Sequence, residues 1–352
     1  MEIDLKIAGD SEAAIWDKIV DSSPHGTIFH TWKWLKITEK HSRSRLYPVI
    51  GYKGTTVIGI YPLFFQKMFG ISCVFSPPPA TAVPFLGPII VGYDALKQNK
   101  KESVSLNFQK SIDEFIFSEL KSNYALISLV PGLDPRSFAW TDYNIKALFD
   151  YNLDLGKGIE RIWQDFDKHA RDHIKKTEMT RRTDGAIDII QGSKDDIVQL
   201  YNLVVRRYRE QKKAVTVPME YLLDIWDAFY PDNLKVFAVR YNGSIIGGIV
   251  AILYKDRISF WIGGTKPEIK NFSPNELNHW ETLKWAHNNG FKVYEEFGAN
   301  SENLCMSKSK YNPSLSVRFV AHKYSSFIYA LAERGYTDVL KKGYGLLLSF
   351  KE

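Results

Sequence analysis

Hydrophobic and polar positions alternate along the chain in a pattern that occurs twice. Each half contains two strand-type apolar segments that flank a short turn with glycine, which is typical of a β-hairpin. Three positions recur at one spacing: Tyr52, Gly54 and Gly59 each lie 189 positions before Tyr241, Gly243 and Gly248. Unrelated hairpins would not usually preserve three spacings, so the pattern predicts two related domains.

The elements around these hairpins follow the same order in both halves: one strand, two helices, three strands, one helix and one strand. Helices are indicated where apolar residues recur at helical spacing, as at Val104, Phe108 and Ile112. A continuous apolar segment at residues 125–130 is typical of a strand buried on both faces. The fold class predicted from this order is α/β, with an α+β mixed sheet in each of two tandem domains.

We place the two domains at residues 1–156 and 157–352, because a chain of 352 residues suits two domains that can each bury a core. The first domain is expected to close with a strand near residues 145–155. A helix is expected over residues 325–341.

The composition is that of a folded globular protein, since 45% of the residues are hydrophobic and 14% are aromatic. Cys73 and Cys305 lie in unrelated contexts and no metal-ligand spacing occurs, so neither a disulfide framework nor a metal is expected. No leader peptide or bilayer-spanning apolar segment is found, so we expect a cytoplasmic protein. An apolar cluster at residues 64–71 leaves peripheral contact with a membrane as an option, beside its interpretation as strand core.

The net charge of +6 is modest for this length, and DNA is not expected as a partner. The cationic residues are nevertheless clustered at residues 168–182, and again at Arg206, Arg207, Arg209, Lys212 and Lys213. Such clusters recruit phosphate groups, but they are equally typical of solvated helix faces whose charges are paired. Both interpretations stay open.

Three parts of the chain carry a resemblance to a known family. They are the aromatic segment Gly26-Thr27-Ile28-Phe29-His30-Thr31-Trp32-Lys33-Trp34-Leu35, the segment Arg171-Asp172-His173-Ile174-Lys175-Lys176, and a signature that begins at Ser273-Pro274-Asn275-Glu276-Leu277 and ends at Lys308-Ser309-Lys310-Tyr311-Asn312. Together they resemble the FemABX group of peptidyl and acyl transferases, and its compact acetyltransferase-like relatives, within the GNAT superfamily. The chain departs from the group at Ser307, where the family has Phe, and at Glu296-Phe297-Gly298, where it has Asp-Phe-Gly.

The resemblance implies two tandem GNAT-like domains with the donor site in the C-terminal one. It also implies an acyltransferase that forms an amide by moving an acyl or aminoacyl group to an amine of a cell-envelope or phosphate-bearing acceptor. In such a site two strands part and their free N–H groups hold an activated carbonyl, while a base removes a proton from the amine. We expect the strands to part between residues 258–262 and 291–297, with Glu296 as the catalytic base. A carboxylate at a strand end is also commonly a solvated or capping residue.

The substrate-binding residues expected from these considerations are Trp34, Lys36, Arg171, Lys175, Lys308 and Tyr311. Lys308 and Tyr311 are expected near the donor. Arg171 and Lys175 are expected to bind a phosphate group of the acceptor. Trp34 and Lys36 of the first domain are expected to line the far wall of the acceptor site. The competing interpretations are ordinary ones: exposed lysines on a loop, ion pairing of the α-helical cations, and a tryptophan in the core.

The donor is either acyl-CoA or an aminoacyl-tRNA, and tRNA is therefore a candidate partner. Ser273 and Asn275 open the helix that would bind the cofactor part of the donor. The Gly-rich loop that cradles pyrophosphate is missing before this helix, and Ser273 with Glu276 has the spacing of a capping box. The alternative function is a non-catalytic module, built from degenerate GNAT domains, that binds RNA or another anionic ligand. A third interpretation is a CoA-dependent acetyltransferase that acts on a small polyamine or sugar amine.

Overall fold

The computed structural model describes residues 3–68, 70–210, 217–266 and 273–326. Their contacts divide the chain into two compact units: residues 3–148 with 317–326, and residues 149–316. The predicted division after residue 156 stays a prediction, and the contacts add that residues 317–326 lie with the first unit. Of the helix expected over residues 325–341, the part beyond residue 326 lies outside the described residues, as do Lys212 and Lys213.

The elements up to the strand that enters the second unit are, in chain order, β1 (Asp4–Ile7), α1 (Ala13–Ser22), α2 (Trp32–Ser42), β2 (Arg45–Lys53), β3 (Thr56–Met68), β4 (Ile71–Ser76), β5 (Ile89–Ile90), α3 (Gln98–Glu114), β6 (Tyr124–Ser128), α4 (Arg136–Ala139) and β7 (Asn144–Asp154). The elements that follow are α5 (Ile159–Asp165), α6 (Lys168–Asp184), β8 (Ile187–Gln191), α7 (Lys194–Glu210), α8 (Met219–Phe229), β9 (Leu234–Tyr241), β10 (Ser244–Tyr254), β11 (Arg257–Thr265), α9 (Pro274–Asn288), β12 (Val293–Glu296), α10 (Glu302–Ser309) and β13 (Ser314–Tyr324).

In the first unit the strands lie in the order β1, β2, β3, β4, β6 and β13. All neighbours are antiparallel except β4 and β6, which are parallel and connected through α3. The strand at the end of this sheet comes from late in the sequence, because residues 320–324 of β13 pair with β6. The mixed sheet predicted from the element order is confirmed.

The second unit has the corresponding order β7, β12, β11, β10, β9 and β8. Again one pair is parallel, β11 with β12, and α9 connects its two strands. The strand that was expected to close the first domain is observed as β7, but its residues 151–154 pair with β12 of the second unit. In both units, therefore, the strand beside the parallel pair comes from the other half of the sequence.

Both predicted hairpins are present, and their turns explain why Gly54 recurs as Gly243. Gly54 and Gly243 have φ values of +58° and +79°, in the left-handed region that only glycine enters without cost. Asn242 before Gly243 also has positive φ, at +49°, as an Asn-Gly turn between antiparallel strands requires. None of the helices in the described part of the chain combines the length and the apolar character that crossing a membrane demands.

Candidate active site

The pairing of β11 with β12 ends in the middle of β11. The last paired residues are Phe260 and Glu296, whereas β11 continues to Thr265 along β10. Trp261, the next residue, is a β-bulge, because Phe260 and Ile262 pair with the consecutive residues Ala251 and Val250 of β10. A bulge of this kind bends its strand and re-aims backbone groups. The two strands of the parallel pair thus part at the position expected from the sequence.

The chain beyond β12 turns towards β7 and is held there by several hydrogen bonds. The Gly298 N–H donates to Asp150 Oδ1 at 2.6 Å, and the Ala299 N–H donates to the Phe149 carbonyl at 2.7 Å. The side chain of Asn300 bonds both the N–H and the carbonyl of Phe149, at 2.8 and 2.9 Å. These contacts fix the wall of the site that follows Glu296.

Glu296 is buried, with 3% of its surface exposed. Its Oε1 lies 3.3 Å from Nδ1 of His279, while its Oε2 has no hydrogen-bond partner among the described residues. Burial raises the pKa of Glu296 to about 7, against the opposing positive charges of Lys308 and Lys310. A carboxyl group with this pKa exchanges a proton at neutral pH, as a general base must.

His279 connects Glu296 to a stack of aromatic rings. Its ring is parallel to that of Tyr311, with centroids 4.1 Å apart, and it meets the edge of Tyr294 at 5.0 Å. Burial lowers the pKa of His279 to about 3, and the charges of Lys310 and Lys308 act in the same direction. The imidazole is therefore neutral and can accept or donate one hydrogen bond at Nδ1, according to its tautomer.

Tyr311, which was expected at the donor, lies in this stack and is only 3% exposed. Burial raises its pKa well above the usual range, and the charges of Glu276, Glu296 and Asp167 raise it further. Its hydroxyl has no hydrogen-bond partner among the described residues, and the residue borders a cavity of about 30 Å³. A space of this size accommodates a water molecule.

Tyr151 and Cys305 are hydrogen-bonded to each other near Glu296. Tyr151 is the residue of β7 that pairs with Glu296 across the sheet. A hydrogen bond with Cys305 of α10 raises the pKa of Tyr151, and burial together with the charges of Cys305 and Glu296 raises it further. Tyr151 is partly exposed, so it gives the enclosed carboxylate a neighbour that reaches solvent.

Lys308 folds back over the segment after β12. Its ammonium donates to the carbonyl oxygens of Phe297 and Gly298, at 2.6 and 3.4 Å. The predicted donor-binding lysine thus lies beside the point where the strands part, and in this structure it holds that backbone in place. Its role at the donor stays a prediction.

The N-terminus of α9 differs from the sequence expectation. The capping box is absent, because the side chain of Ser273 makes no capping hydrogen bond. Its hydroxyl lies 3.3 Å from His173 Nδ1, and Glu276 instead binds Lys310 at 2.7 Å. Asn275 is exposed. The prediction of a capping box was therefore wrong, and with it the argument that this box satisfies the N–H groups of the helix.

Arg171 and Lys175 occupy one helix, α6, but have different surroundings. The Arg171 guanidinium donates to the carbonyls of Gln164 and Phe166, so it caps the end of α5. Lys175 is exposed and lines a surface groove with Trp163 and Trp280. Their neighbours therefore differ, and binding of one phosphate by both cations stays a prediction.

The two predicted residues of the first unit also have separate surroundings. Trp34 is fully buried, and its ring meets that of Phe29 at 5.0 Å. An enclosed indole offers no surface to a ligand, so its contacts support packing of α2. Lys36 is exposed and bonds Glu39 at 2.6 Å.

The corresponding position in the first unit is closed. There the pairing of β4 with β6 ends at Ser76, and Leu86 then forms a bridge with Leu129 and donates its N–H to the Ser128 carbonyl at 2.8 Å. Gly87 N–H further donates to the Ser76 hydroxyl at 3.0 Å. The proline-rich segment between β4 and β5 thus lies beside the parallel pair in the first unit, and a donor site in the second unit stays a prediction.

Sequence reasoning missed His279 and Tyr151. His279 could have been suspected, because it lies one turn before Leu283 on the apolar face of α9, where a polar residue is unexpected. Tyr151 could not, since its approach to Glu296 depends on the pairing of strands far apart in sequence. Within residues 3–68, 70–210, 217–266 and 273–326, no group of three or more His, Cys, Asp or Glu side chains is placed to hold a metal ion.

Comparison with known proteins identifies the type of domain in the second unit. Residues 165–303 match the family model of the acetyltransferase (GNAT) domain. This segment contains the bulge, Glu296 and His279, so the match falls on the site built above. A search of the curated proteins found no match.

Solved structures share the fold over almost the whole chain. FemX has a TM-score of 0.69 at 13% identity, with 94% of this chain and 100% of that chain covered. A tandem GNAT protein from the clavulanic acid biosynthesis pathway has a TM-score of 0.56 at 9% identity, with 92% and 99% covered. L-PGS from Bacillus licheniformis has a TM-score of 0.53 at 11% identity, with 90% and 94% covered. At these identities the likeness shows the fold, and it confirms the resemblance to tandem GNAT proteins.

Proposed function

We propose that this chain is an acyltransferase that forms an amide by moving an acyl or aminoacyl group onto an amine, with Glu296 as the base. Its second unit carries the GNAT acetyltransferase domain. The observation that carries the proposal is a buried carboxyl group with a pKa of about 7 at the point where β11 and β12 part. A parted parallel pair supplies backbone N–H groups for a carbonyl oxygen, and the carboxylate supplies the base.

The reaction needs only proton transfer and charge stabilisation. The acceptor arrives as an ammonium ion and gives one proton to the Glu296 carboxylate. The free amine then attacks the donor carbonyl, the C–N bond forms, and the C–S or C–O bond to the donor breaks. The nitrogen then loses a second proton, which the departing sulfur or oxygen takes, and Glu296 releases the first proton to solvent, so that the carboxylate is regenerated. General base catalysis of this kind contributes about 10²- to 10⁴-fold in rate.

Three neighbours support this role for Glu296. His279, neutral because burial lowers its pKa, places its Nδ1 3.3 Å from Oε1, whereas Oε2 has no hydrogen-bond partner among the described residues and is the oxygen proposed to take the proton. Lys308 holds the carbonyls of Phe297 and Gly298, which line the parted strands. Because Glu296 is enclosed, we propose that the acceptor proton reaches it through the partly exposed Tyr151 or one bridging water.

The donor supplies an activated carboxyl group, and two sources fit this chemistry: acyl-CoA and aminoacyl-tRNA. Ser273 does not cap the N-terminus of α9, and its hydroxyl faces His173; the dipole of this helix supports a phosphate-bearing donor of either kind. The acceptor is an amine, and a cell-envelope or phosphate-bearing compound stays our proposal for it.

The test combines binding with turnover. Purified protein and its Glu296→Gln variant are heated with acetyl-CoA, free CoA or bulk aminoacyl-tRNA, because a ligand at 100 times its dissociation constant adds about 2.7 kcal/mol of stability. Release of CoA or deacylated tRNA is then followed with a panel of amines. We expect one donor class to stabilise both proteins, and transfer to fall at least 100-fold in the variant.

The matched control is Glu302→Gln, which removes an exposed carboxylate from α10 in the same unit. This variant should keep its transfer rate. Equal rates for wild-type protein and Glu296→Gln, or donor binding without any transfer by wild-type protein, would contradict the proposal and favour a binding module.

A further inference from the structure

His279 is a polar residue on the buried face of α9. Only 2% of its surface is exposed, and Leu277 and Leu283 of the same helix are fully buried. Its ring is held on two sides, because it lies parallel to the ring of Tyr311 at an angle of 17° and meets that of Tyr294 at 84°. A ring held in this way cannot turn away from its neighbours. The position of its single proton therefore decides what it does for them.

The two nitrogens of His279 have different surroundings. Nδ1 lies 3.3 Å from Oε1 of Glu296 and 3.4 Å from the hydroxyl of Tyr294. Nε2 is buried and has no hydrogen-bond partner among the described residues. A neutral imidazole has one N–H donor and one bare nitrogen that accepts. Two arrangements therefore compete: a proton on Nδ1 that faces the carboxylate, or a proton on Nε2 while Tyr294 donates to Nδ1.

The ionised carboxylate favours the proton on Nδ1. A hydrogen bond to a charged acceptor is about twice as strong as one between neutral groups. The alternative turns the lone pair of Nδ1 towards the negative Oε1 and leaves the N–H of Nε2 buried without an acceptor, which costs free energy. The distance of 3.3 Å is long for a hydrogen bond, but catalytic hydrogen bonds are commonly long before the substrate binds.

We infer that His279 is a positioning residue, whose Nδ1–H donates to Oε1 of the ionised Glu296 and leaves Oε2 as the oxygen that takes the proton of the acceptor amine. The inference rests on the proposed function of Glu296 as the base. The imidazole itself gains and loses no proton. Because Tyr311 and Tyr294 hold the ring, the carboxylate keeps one orientation throughout the reaction.

Other groups also act on the charge of Glu296. The titratable and charged groups that face it from the neighbouring elements are Tyr151 of β7 with its partner Cys305 of α10, Tyr294 of β12, Lys308 of α10, and Lys310 and Tyr311 after α10. The two lysines lower the pKa of Glu296. The three tyrosines stay uncharged at neutral pH, because their own pKa values are raised. His279 acts differently from all of these, through a hydrogen bond from a neutral donor.

The tautomer of His279 can be determined directly by ¹⁵N NMR of the imidazole nitrogens, because a protonated and a bare nitrogen give well-separated signals. The chain has 8 histidines, and the signals lost in His279→Asn identify those of His279. At pH 8, where Glu296 is ionised, we expect the proton on Nδ1 and a bare Nε2. A proton on Nε2 at this pH would overturn the inference.

Two variants test the effect on Glu296. His279→Leu removes the donor, whereas His279→Asn keeps an N–H near the place of Nδ1. The pKa of Glu296 is measured by NMR of ¹³C-carboxyl glutamate without donor or acceptor, and Glu296→Gln identifies its signal. We expect His279→Leu to raise this pKa by about 1 to 2 units, because one hydrogen bond to a charged group is lost. His279→Asn should stay within about 0.5 units of the wild-type protein.

Tyr294→Phe is the matched control, because it keeps the ring and removes the hydroxyl that lies 3.4 Å from Nδ1. It should leave the pKa of Glu296 within about 0.5 units. An unchanged pKa in His279→Leu, equal shifts in His279→Leu and His279→Asn, or a shift in Tyr294→Phe as large as that in His279→Leu would overturn the inference.

Kinetics separate positioning from mere packing. The midpoint of the pH profile of kcat/KM should rise in His279→Leu and return in His279→Asn. Loss of activity by the same factor at every pH in both variants would mean that His279 only supports packing. If the NMR results are as expected but wild-type protein transfers no acyl group, the proposed function fails and the orientation of Glu296 by His279 stands.

Discussion

Replacing Glu296 with glutamine should make the protein more stable above neutral pH, while transfer falls at least 100-fold. Burial raises the pKa of this carboxyl group from 4.5 to about 7 in the folded protein. Between these values the unfolded chain has released the proton and the folded chain has kept it, so stability falls as pH rises. A pKa difference of about 2.5 corresponds to about 3 kcal/mol, which is lost in full above pH 7. Glutamine does not ionise, so Glu296→Gln avoids this loss.

The assay is equilibrium unfolding in urea at pH 5 and at pH 8. We expect the variant to exceed the wild-type protein by about 3 kcal/mol at pH 8 and by much less at pH 5. Glu276→Gln is the control of opposite sign. Burial acts to raise the pKa of Glu276, but the hydrogen bond and charge of Lys310 outweigh it and hold the pKa below 4.5. Its removal should therefore destabilise the protein at both pH values.

The reasoning would be refuted by a stability difference for Glu296→Gln that is the same at pH 5 and pH 8. Such a result would mean that the carboxyl group titrates alike in the folded and unfolded chains. Burial would then cost the charged form of Glu296 no free energy, and the raised pKa that supports its role as the base would be absent.

Three further outcomes follow from particular contacts. Lys308→Met should move the midpoint of the pH profile of kcat/KM above about 7, because the positive charge of Lys308 lowers the pKa of Glu296. An unchanged midpoint would exclude an effect of Lys308 on the pKa of Glu296. Trp34→Ala should lower the free energy of unfolding in urea by about 3 to 5 kcal/mol, whereas Lys36→Ala should lower it by less than about 1 kcal/mol. Similar losses in the two variants would contradict the burial of Trp34 and the exposure of Lys36. In alkylation followed by mass spectrometry, Cys305 should react first, because burial raises the pKa of Cys73 to about 12; faster labelling of Cys73 would count against that burial.

Local patterns accounted for most of the elements. Helical spacing gave α3, and the turn glycines gave the two hairpins, because both signals depend on neighbours a few residues apart. The prediction of a capping box was wrong because it depended on neighbours in the sequence, whereas the residues concerned bind partners far away in the sequence. Glu276 binds Lys310, 34 residues away, and the Ser273 N–H donates to Thr177 Oγ1 at 2.8 Å, so distant partners take groups that the capping box would have used.

The exchange of β7 and β13 illustrates the same limit on a larger scale. The sequence indicates that a strand follows each copy of the repeat, but nothing in its local pattern specifies which sheet it joins. That choice is decided by pairing partners more than 100 residues away, as between Tyr151 and Glu296. The predicted strand was in the right place, and its partner was not foreseeable.

By itself, the sequence determined the duplicated α/β plan and the resemblance that singled out Glu296. Only the tertiary structure decided what Glu296 can do, because its pKa depends on burial among His279, Tyr294 and Tyr311 rather than on its neighbours in the chain. Folding removes water from this carboxyl group, and the cost of a charge without water cannot be read from a string of residues.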